Sequence, residues 1–222
     1  MSQHLDTGSP TLRTIAHYDH HADQFWEGTK DHDVQQNINA LLRALGPGQH
    51  EILDLGCGPG RDLRALKTLG HHPTGLDGSS RFVAMAKEYS GCPVLHQDFL
   101  QLDLPAQAFD GIFANASLFH VPSAALGRVL GELADALRPD GVLFSSNPRG
   151  QNQEGWNGER YGAYHDLNAW REFVMAAGFD EVEHYYRPQG APRDQQPWLA
   201  TVFRKLNHRS PQGTMEKRSR RG

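Results

Sequence analysis

Short apolar runs alternate with amphipathic segments along most of the 222-residue chain. Periodicity and flanking glycines predict seven strands, at EILDLG, HPTGLD, PVLHQDF, FDGIFANAS, GVLFSSNP, DEVEHYYRP and WLATVFRKL. Between strands, apolar residues recur at helical spacing, as in VQQNINALLRALGPG, where the pattern stops at Gly46 and Pro47. This alternation predicts an α/β fold, in which helices cover both faces of a largely parallel sheet.

Local start and stop signals accompany the predicted helices. SSRFVAMAKEYSG has a serine available as its N-cap and Gly91 at its end. PSAALGRVLGELADALRPDG predicts a long helix that begins at a proline and ends at Pro139. Further helices are predicted at DLRALKTLG and DLNAWREFVMAAGF, and two more, near Ala22 and Val34, precede the first strand.

Composition narrows the possible functions. The formal net charge of −4 argues against a duplex-binding surface, because phosphate contacts need clustered lysines and arginines. Two cysteines form no disulfide framework in a chain of this size, and neither a secretory signal nor a membrane-spanning run is visible. We therefore expect a cytoplasmic protein. His17, His20 and His21 lack partners at a ligand spacing, so no metal site is expected.

The domain organisation follows from these patterns. We expect a flexible N-terminus over residues 1–13, one domain over residues 14–206 and a basic disordered tail over residues 207–222. Within the domain, residues 14–46 are interpreted as a helical cover. Residues 148–165, polar and aromatic, are interpreted as a substrate loop, because ligands bind at the carboxyl ends of strands in open α/β sheets.

Three glycines follow the first predicted strand, at Gly56, Gly58 and Gly60. The dinucleotide fingerprint G-x-G-x-x-G would require a glycine at position 61, where the chain has Arg61. The spacing is instead G-x-G-x-G, and Asp54 stands two residues before the first glycine. A carboxylate repels a pyrophosphate and attracts an ammonium or sulfonium group, so the pattern favours a cationic ligand.

This D-x-G-x-G-x-G pattern resembles the first motif of class I S-adenosylmethionine-dependent methyltransferases, and later motifs follow in the same order. Asp77, in TGLD, stands where the family's acidic residue takes the ribose hydroxyls. Asp98 and Phe99, in HQDF, stand where the family contacts adenine. FDGIFANASLFHV resembles the fourth-strand motif beside the transferred methyl group, and LADALRPDGVLFSS resembles the following helix, turn and strand. The resemblance implies a Rossmann-like, mostly parallel seven-stranded sheet with an antiparallel last strand.

The same resemblance implies S-adenosyl-L-methionine as the cofactor and S-adenosyl-L-homocysteine as its product. Two of the implied cofactor contacts lie in the N-terminal cover, and the others lie at strand ends. They are Tyr18, Lys30, Asp54, Gly56, Cys57, Gly58, Gly60, Asp77, Gly78, Asp98, Phe99, Asn115, Ala116 and Leu118.

Nucleic acid is not the expected acceptor. Methyltransferases that act on base amines usually carry an N/D-P-P-Y/F motif at the end of the fourth strand. The chain has NASLFH there, from Asn115 to His120, and its NPRG follows the fifth strand.

The flanking segments resemble the C-terminal methyltransferase domain of ovothiol-synthesising 5-histidylcysteine sulfoxide synthases. TKDHDVQQNINALL, LFSSNPRGQNQEGWNGERYGAYHDL and EHYYRPQGAPRDQQPWLATVFRK carry this likeness. It implies a free-standing N-methyltransferase that works after a separate iron-dependent sulfoxide synthase and a lyase. The implied substrate is 5-thiohistidine, and the implied product is ovothiol A, methylated on the imidazole nitrogen nearer the side chain.

An amino-acid acceptor suggests candidate binding residues. Arg149 is a candidate for the carboxylate, and Asp31 or Asp33 for the ammonium group. The aromatic candidates for walling the imidazole are Trp156, Tyr161 and Tyr164.

The catalytic candidates are His120, Asn147 and Tyr161. His120 is the candidate base or proton relay, and Asn147 or Tyr161 could fix a ring nitrogen by a hydrogen bond. Water could also accept the proton after transfer. Three other functions stay open: methylation of another small molecule on oxygen, sulfur or nitrogen, cofactor binding without catalysis, and a nicotinamide-dependent oxidoreductase.

Overall fold

The computed structural model describes residues 9–207. Its helices are α1 (Pro10–His20), α2 (Ala22–Thr29), α3 (Gln35–Leu45), α4 (Arg61–Thr68), α5 (Ser80–Ser90), α6 (Ser123–Ala136) and α7 (Leu167–Ala176). Its strands are β1 (Glu51–Leu55), β2 (His72–Asp77), β3 (Val94–His96), β4 (Phe109–Asn115), β5 (Leu137–Pro148), β6 (Gln153–Asn157), β7 (Arg160–Tyr164), β8 (Phe179–Arg187) and β9 (Trp198–Lys205). Short 3₁₀ turns lie at Leu118–His120 and Arg193–Gln195.

Seven strands form the main sheet, in the order β3-β2-β1-β4-β5-β9-β8. The pairs between β3 and β5 are parallel, whereas β9 runs antiparallel to both β5 and β8. This confirms the predicted fold class. The strand order reverses between β1 and β4, which is where open α/β sheets place their ligand crevice.

Apolar side chains fill both faces of the sheet. On one face Ile38 and Leu41 of α3 pack against Phe113 and Phe144, whose rings stack at 4.9 Å. On the other face α6 and α7 bury a larger cluster that includes Trp170. The central strands are buried on both faces of the sheet, which explains why their sequences are continuous apolar runs. Within the described part of the chain, no helix is long and apolar enough to cross a bilayer.

Residues 148–165 fold differently from the predicted loop. β6 and β7 pair antiparallel from Gln153↔Tyr164 to Asn157↔Arg160, forming a hairpin separate from the main sheet. Gly158 supplies the positive φ (61°) of its two-residue turn. The hairpin packs against α1 and the Leu118–His120 turn, so it stands beside the crevice.

Other boundaries also differ from the predictions. α6 ends at Ala136, earlier than the predicted end at Pro139, because Leu137 is already extended and pairs with Phe109 in the sheet. α1 begins at Pro10, ahead of the expected start of the cover at residue 14. The predicted caps of α5 are confirmed: Ser79 Oγ accepts a hydrogen bond from the Phe82 backbone N–H, and Gly91 is left-handed. The predicted tail lies outside the described residues, apart from residue 207.

Candidate functional site

The glycine loop after β1 has a left-handed, tightly packed backbone. Gly56, Gly58 and Gly60 have φ angles of 76°, 53° and 94°, a region that side chains rarely adopt. A Cβ on Gly56 would lie 2.4 Å from the Ser117 Cβ, and one on Gly60 would lie 2.8 Å from the Ala86 Cα. Because Gly56 has no side chain, the segment after β4 can pack against the loop. The absence of a side chain at Gly60 allows α5 to do the same.

Asp54 is buried beneath this loop. Its side chain is 1% exposed, and no hydrogen-bond partner for Oδ2 is present among the described residues. Burial raises the pKa of Asp54 well above its usual value, and the nearby Asp62 carboxylate raises it further. The sequence prediction that Asp54 faces a positive charge is compatible with this isolation, although Asp54 lines neither cavity described below.

A first cavity of about 580 Å³, partly open to solvent, lies between α1 and the ends of β1 and β2. Asp77 stands at its floor. Its Oδ2 accepts the Gly58 N–H at 2.9 Å, and its Oδ1 accepts the Ser79 N–H at 2.9 Å. Burial raises the pKa of Asp77 to about 6, although these backbone donors oppose the rise. The carboxylate is thereby held against the glycine loop.

Asp98 lines the same cavity and is bonded to α1. Its Oδ1 accepts the Leu100 N–H at 2.9 Å, and its Oδ2 accepts the Thr11 hydroxyl at 2.6 Å. Asp19, farther along α1, accepts the Ser79 hydroxyl at 2.6 Å. Helix α1 is therefore a wall of the cavity, fastened at both of its ends.

His120 joins α1 to the hairpin. Its Nδ1 lies 2.6 Å from the Tyr161 carbonyl oxygen, which can only accept, so Nδ1 carries the proton. Its Nε2, 3.0 Å from the Tyr18 hydroxyl, then accepts a hydrogen bond from that hydroxyl. His120 is 8% exposed, and burial lowers its pKa to about 4. The ring is neutral at physiological pH, and its lone pair is occupied.

A second, larger cavity of about 1460 Å³, which includes open space, adjoins the first. Both cavities are lined by Tyr18, Phe25, Gly56, Gly58 and Ala116. The second cavity is also lined by residues of both charges, which the first cavity lacks: Asp33, Arg61, Asp62, Arg160 and Arg187. The two cavities meet at the glycine loop and the end of β4, which is the sheet's switch point.

The structure brings together many residues that the sequence predicted. The first cavity contains Asp77, Gly78, Asp98, Phe99 and His120. The second contains Cys57 and Asn115. Tyr18, Gly56, Gly58 and Ala116 line both.

Other predicted residues line neither cavity. Lys30 pairs with Glu27 at 2.6 Å, and Leu118 is buried in the core. Trp156 is 45% exposed beneath the Arg13 guanidinium. The Arg149 guanidinium donates to the Arg193 carbonyl at 2.9 Å. The remaining predicted residues outside both cavities are Asp31, Asp54, Gly60, Asn147, Tyr161 and Tyr164.

Asn147 and Tyr161 have specific positions away from the cavities. Asn147 lines a small separate pocket with His165 and Trp170, where its Oδ1 has no hydrogen-bond partner among residues 9–207. Tyr161 contributes its backbone: the N–H donates to Thr14 Oγ1 at 2.9 Å, and the carbonyl accepts from His120. Its side chain is directed to Glu154.

Sequence reasoning missed several lining residues. Thr11, Thr14 and Ile15 of α1 line the first cavity, and the proline at the start of α1 was an available helix signal. Arg160 and Arg187 line the second cavity, and no sequence signal separated them from other arginines.

Comparison with known proteins identifies the central segment. Residues 52–141 match a family model described as a methyltransferase domain. The chain is 33% identical over 159 residues to a trans-aconitate 2-methyltransferase of Acidovorax sp. (strain JS42), an alignment covering 67% of this chain and 59% of that protein. It is 31% identical over 101 residues to a sterol 24-C-methyltransferase of Gibberella zeae, covering 42% and 26%. The chain thus spans less than two thirds of either relative.

Solved structures agree on the fold. The chain superposes with a TM-score of 0.74 on 1,6-didemethyltoxoflavin-N1-methyltransferase of Burkholderia thailandensis, solved with 1,6-didemethyltoxoflavin and S-adenosylhomocysteine bound. That match covers 88% of each chain at 22% identity. Residues 52–141 therefore belong to the class I S-adenosylmethionine-dependent methyltransferase domains, and the strand order gives the chain the Rossmann-like fold.

Proposed function

We propose that this chain transfers the methyl group of S-adenosylmethionine to a small molecule, and that the acceptor is 5-thiohistidine. The product would be ovothiol A, methylated on the imidazole nitrogen nearer the side chain. The observation that supports methyl transfer most is the junction of the two cavities at Tyr18, the glycine loop and Ala116. A cofactor held in one cavity can there face an acceptor in the other.

The first cavity has the groups that the cofactor requires. Asp77 presents a fixed carboxylate that can accept the ribose hydroxyls. Asp98 and Phe99 offer an acceptor and a ring face to adenine. S-adenosylmethionine supplies the methyl group on a sulfonium, and the backbone of the glycine loop allows close approach at the junction.

The transfer itself is an in-line displacement. A lone pair of the acceptor nitrogen forms the new N–C bond, the S–C bond breaks, and S-adenosylhomocysteine leaves as a neutral sulfide. The protein's task is orientation and exclusion of water, which α1 and the hairpin perform by walling the junction. His120 holds this wall and takes no proton, because its pKa is lowered to about 4 and Tyr18 occupies its lone pair. The ring proton passes to water after transfer.

The acceptor assignment has two supports. The structural neighbour from Burkholderia thailandensis is named as an N1-methyltransferase of a heteroaromatic compound, and the Acidovorax relative as one acting on trans-aconitate. Both acceptors are small molecules. The choice of 5-thiohistidine rests on the resemblance of the flanking segments, and a separate iron-dependent sulfoxide synthase and a lyase would supply it.

Mass spectrometry tests this proposal. Purified protein is incubated with S-adenosylmethionine and 5-thiohistidine, with histidine as a parallel acceptor and Asp77→Ala as the cofactor-deficient control. We expect one added methyl on 5-thiohistidine only, with fragmentation placing it on nitrogen. Methylation of neither compound, with S-adenosylhomocysteine binding intact, would reject this acceptor and direct the search to other metabolites.

A further inference from the structure

We propose that the second cavity selects acceptors with two separate anionic groups: the carboxylate of an α-amino acid at Arg187, and a ring-borne anion at Arg160. Asp33, beside Arg187, takes the amino acid's ammonium group. This inference rests on the proposed function and specifies the substrate class of the same site.

Arg187 and Asp33 form a site for an amino-acid head group. Arg187 ends β8, opposite Trp198 of β9, and its Nη2 donates to the Asp33 carbonyl at 2.9 Å. The Asp33 carboxylate accepts only the Gln35 N–H, at 2.8 Å, among the described residues. Through this backbone contact a guanidinium and a carboxylate line the same part of the second cavity, where they match the carboxylate and ammonium of a zwitterion.

Arg160 offers a second positive charge, closer to the junction. It begins β7, is half-buried, and its Nη1 lies 3.5 Å from the Tyr18 hydroxyl. Its Cζ lies 5.9 Å from the centre of the Tyr18 ring, and Tyr18 lines both cavities. An anion bound at Arg160 therefore lies next to the place where the two cavities meet.

The charge balance of the cavity leaves these arginines available. Arg61 binds Asp62 through Nε at 2.7 Å and through Nη2 at 3.1 Å, so those two charges neutralise each other. Over residues 9–207, neither Arg160 nor Arg187 forms an ion pair. Two unpaired guanidiniums and one free carboxylate remain, which is the complement of an acceptor with two anions and one ammonium.

This arrangement also accounts for the choice between nitrogen and sulfur. A mercaptoimidazole thiolate is a strong nucleophile and competes with the ring nitrogen for the methyl group. If Arg160 binds the thiolate, charge-assisted hydrogen bonds engage the sulfur lone pairs and lower their nucleophilicity, so the ring nitrogen is left as the attacking atom. Arg160 is then a positioning residue that determines which atom is methylated.

Calorimetric titrations of the protein saturated with S-adenosylhomocysteine test the two assignments. The probes are 5-thiohistidine, its methyl ester and histidine. We expect the ester and histidine each to bind at least about tenfold more weakly than 5-thiohistidine, since each lacks one charge-assisted contact. Arg187→Gln should abolish the preference for the free acid over the ester. Arg160→Gln should abolish the preference for 5-thiohistidine over histidine. In a separate incubation with S-adenosylmethionine, mass spectrometry should show a larger fraction of S-methylated product from Arg160→Gln than from the wild type.

Arg43→Gln is the matched control, because Arg43 forms an exposed ion pair with Glu183 of β8 and lines neither cavity. It should leave all three affinities within about twofold. The inference is overturned if both preferences persist in the glutamine variants, or if the variants weaken S-adenosylhomocysteine binding by the same factor as acceptor binding.

Binding of citrate, an anion with several carboxylates, distinguishes failure of this inference from failure of the 5-thiohistidine assignment. If 5-thiohistidine is neither bound nor methylated but citrate binds and both glutamine variants lose it, the anion site stands and the named acceptor falls. If 5-thiohistidine is methylated with unchanged kcat/KM in Arg160→Gln and Arg187→Gln, the acceptor stands and the anion site falls.

Discussion

The two halves of the site are held together in different ways. In the proposed cofactor half, which is the first cavity, the glycine loop and the ends of β1, β2 and β4 lie within the matched residues 52–141, and α1 is an outer wall. Here the left-handed, closely packed backbone of the glycine loop shapes the site. The proposed acceptor half, which is the second cavity, adds the start of β7 at Arg160, the end of β8 at Arg187 and the start of β9 at Trp198, all outside that match. Here side-chain hydrogen bonds between distant segments shape the site, as in the Arg160–Tyr18 and Arg187–Asp33 contacts.

This difference has a functional consequence. The cofactor half cannot change without disturbing the packing of α5 and the sheet. The acceptor half can change its selectivity through single side chains while the fold persists. Substitutions in the two halves should therefore separate into those that affect stability together with cofactor binding, and those that affect acceptor choice or pH response.

The largest effect is expected from Gly60→Ala, with Gly70→Ala as the matched control. The two glycines have similar φ angles, 94° and 90°, but only the Cβ at residue 60 would meet Ala86. Both variants should lose about 1–2 kcal/mol of unfolding free energy for the left-handed backbone. Gly60→Ala should lose about 1–3 kcal/mol more for the overlap, together with cofactor affinity. Urea unfolding measures this, and equal losses in both variants would show that close packing of α5 is not required.

Asp77→Ala should lower the affinity for S-adenosylhomocysteine by about 10- to 100-fold, since a charged acceptor for the ribose hydroxyls is lost. Far-ultraviolet circular dichroism should show an intact fold. Asp180→Ala, at an exposed carboxylate, is the control for a general charge effect. Equal affinity of wild type and Asp77→Ala in a calorimetric titration would contradict the placement of the ribose.

The pH dependence of the same binding follows from burial. The pKa of Asp77 is raised to about 6, and hydroxyl donors favour the ionised carboxylate. Binding therefore releases a proton near this pH, and the affinity for S-adenosylhomocysteine should rise as the pH increases from about 5 to 7. Asp77→Ala should lack this rise. A wild-type affinity that stays constant over this range would contradict the assignment.

The sequence was sufficient to predict the sheet and many of the residues that line the first cavity, because both depend on local sequence patterns. The periodicity of apolar residues predicts the alternating order of strands and helices. Asp77 ends β2 and Asp98 follows β3, and because these strands are parallel, their carboxyl ends meet at the same edge of the sheet. The long-range pairings that build the acceptor half have no local signature. Gly158, at the first position of the two-residue turn, was a readable signal, but the polar composition of residues 148–165 favoured a loop.

The contrast between Arg149 and Arg187 shows why the acceptor half was harder to predict. Both follow or end strands at the same edge of the sheet. Two hydrogen bonds hold Arg149 outside the cavities. Its backbone N–H donates to the Pro197 carbonyl, and its guanidinium donates to the Arg193 carbonyl. Arg187 instead lies beside Asp33 and lines the second cavity. Which arginine enters depends on how β9 pairs with β5 and β8, and periodicity does not reveal that pairing.

The smallest effect is expected from His120→Asn, at the contact between α1 and the hairpin. The asparagine amide can still donate to the Tyr161 carbonyl, but the Tyr18 hydroxyl loses its acceptor. At neutral pH this should cost about 1 kcal/mol of unfolding free energy.

The wild type and His120→Asn should differ most clearly in how their unfolding free energies change at acid pH. The pKa of His120 is about 4 when folded, against about 6.5 for an unfolded histidine, so the unfolded state binds more protons between these values. The free energy of unfolding of the wild type should therefore fall as the pH decreases through this window, and this part of the slope should be missing in His120→Asn. Urea unfolding at several pH values measures the difference, and parallel slopes would mean that His120 is not buried as the neutral ring. A ring with so low a pKa, whose Nε2 lone pair already accepts the Tyr18 hydroxyl, is a weak proton acceptor, so a missing slope would also support orientation of α1 and the hairpin as the role of His120.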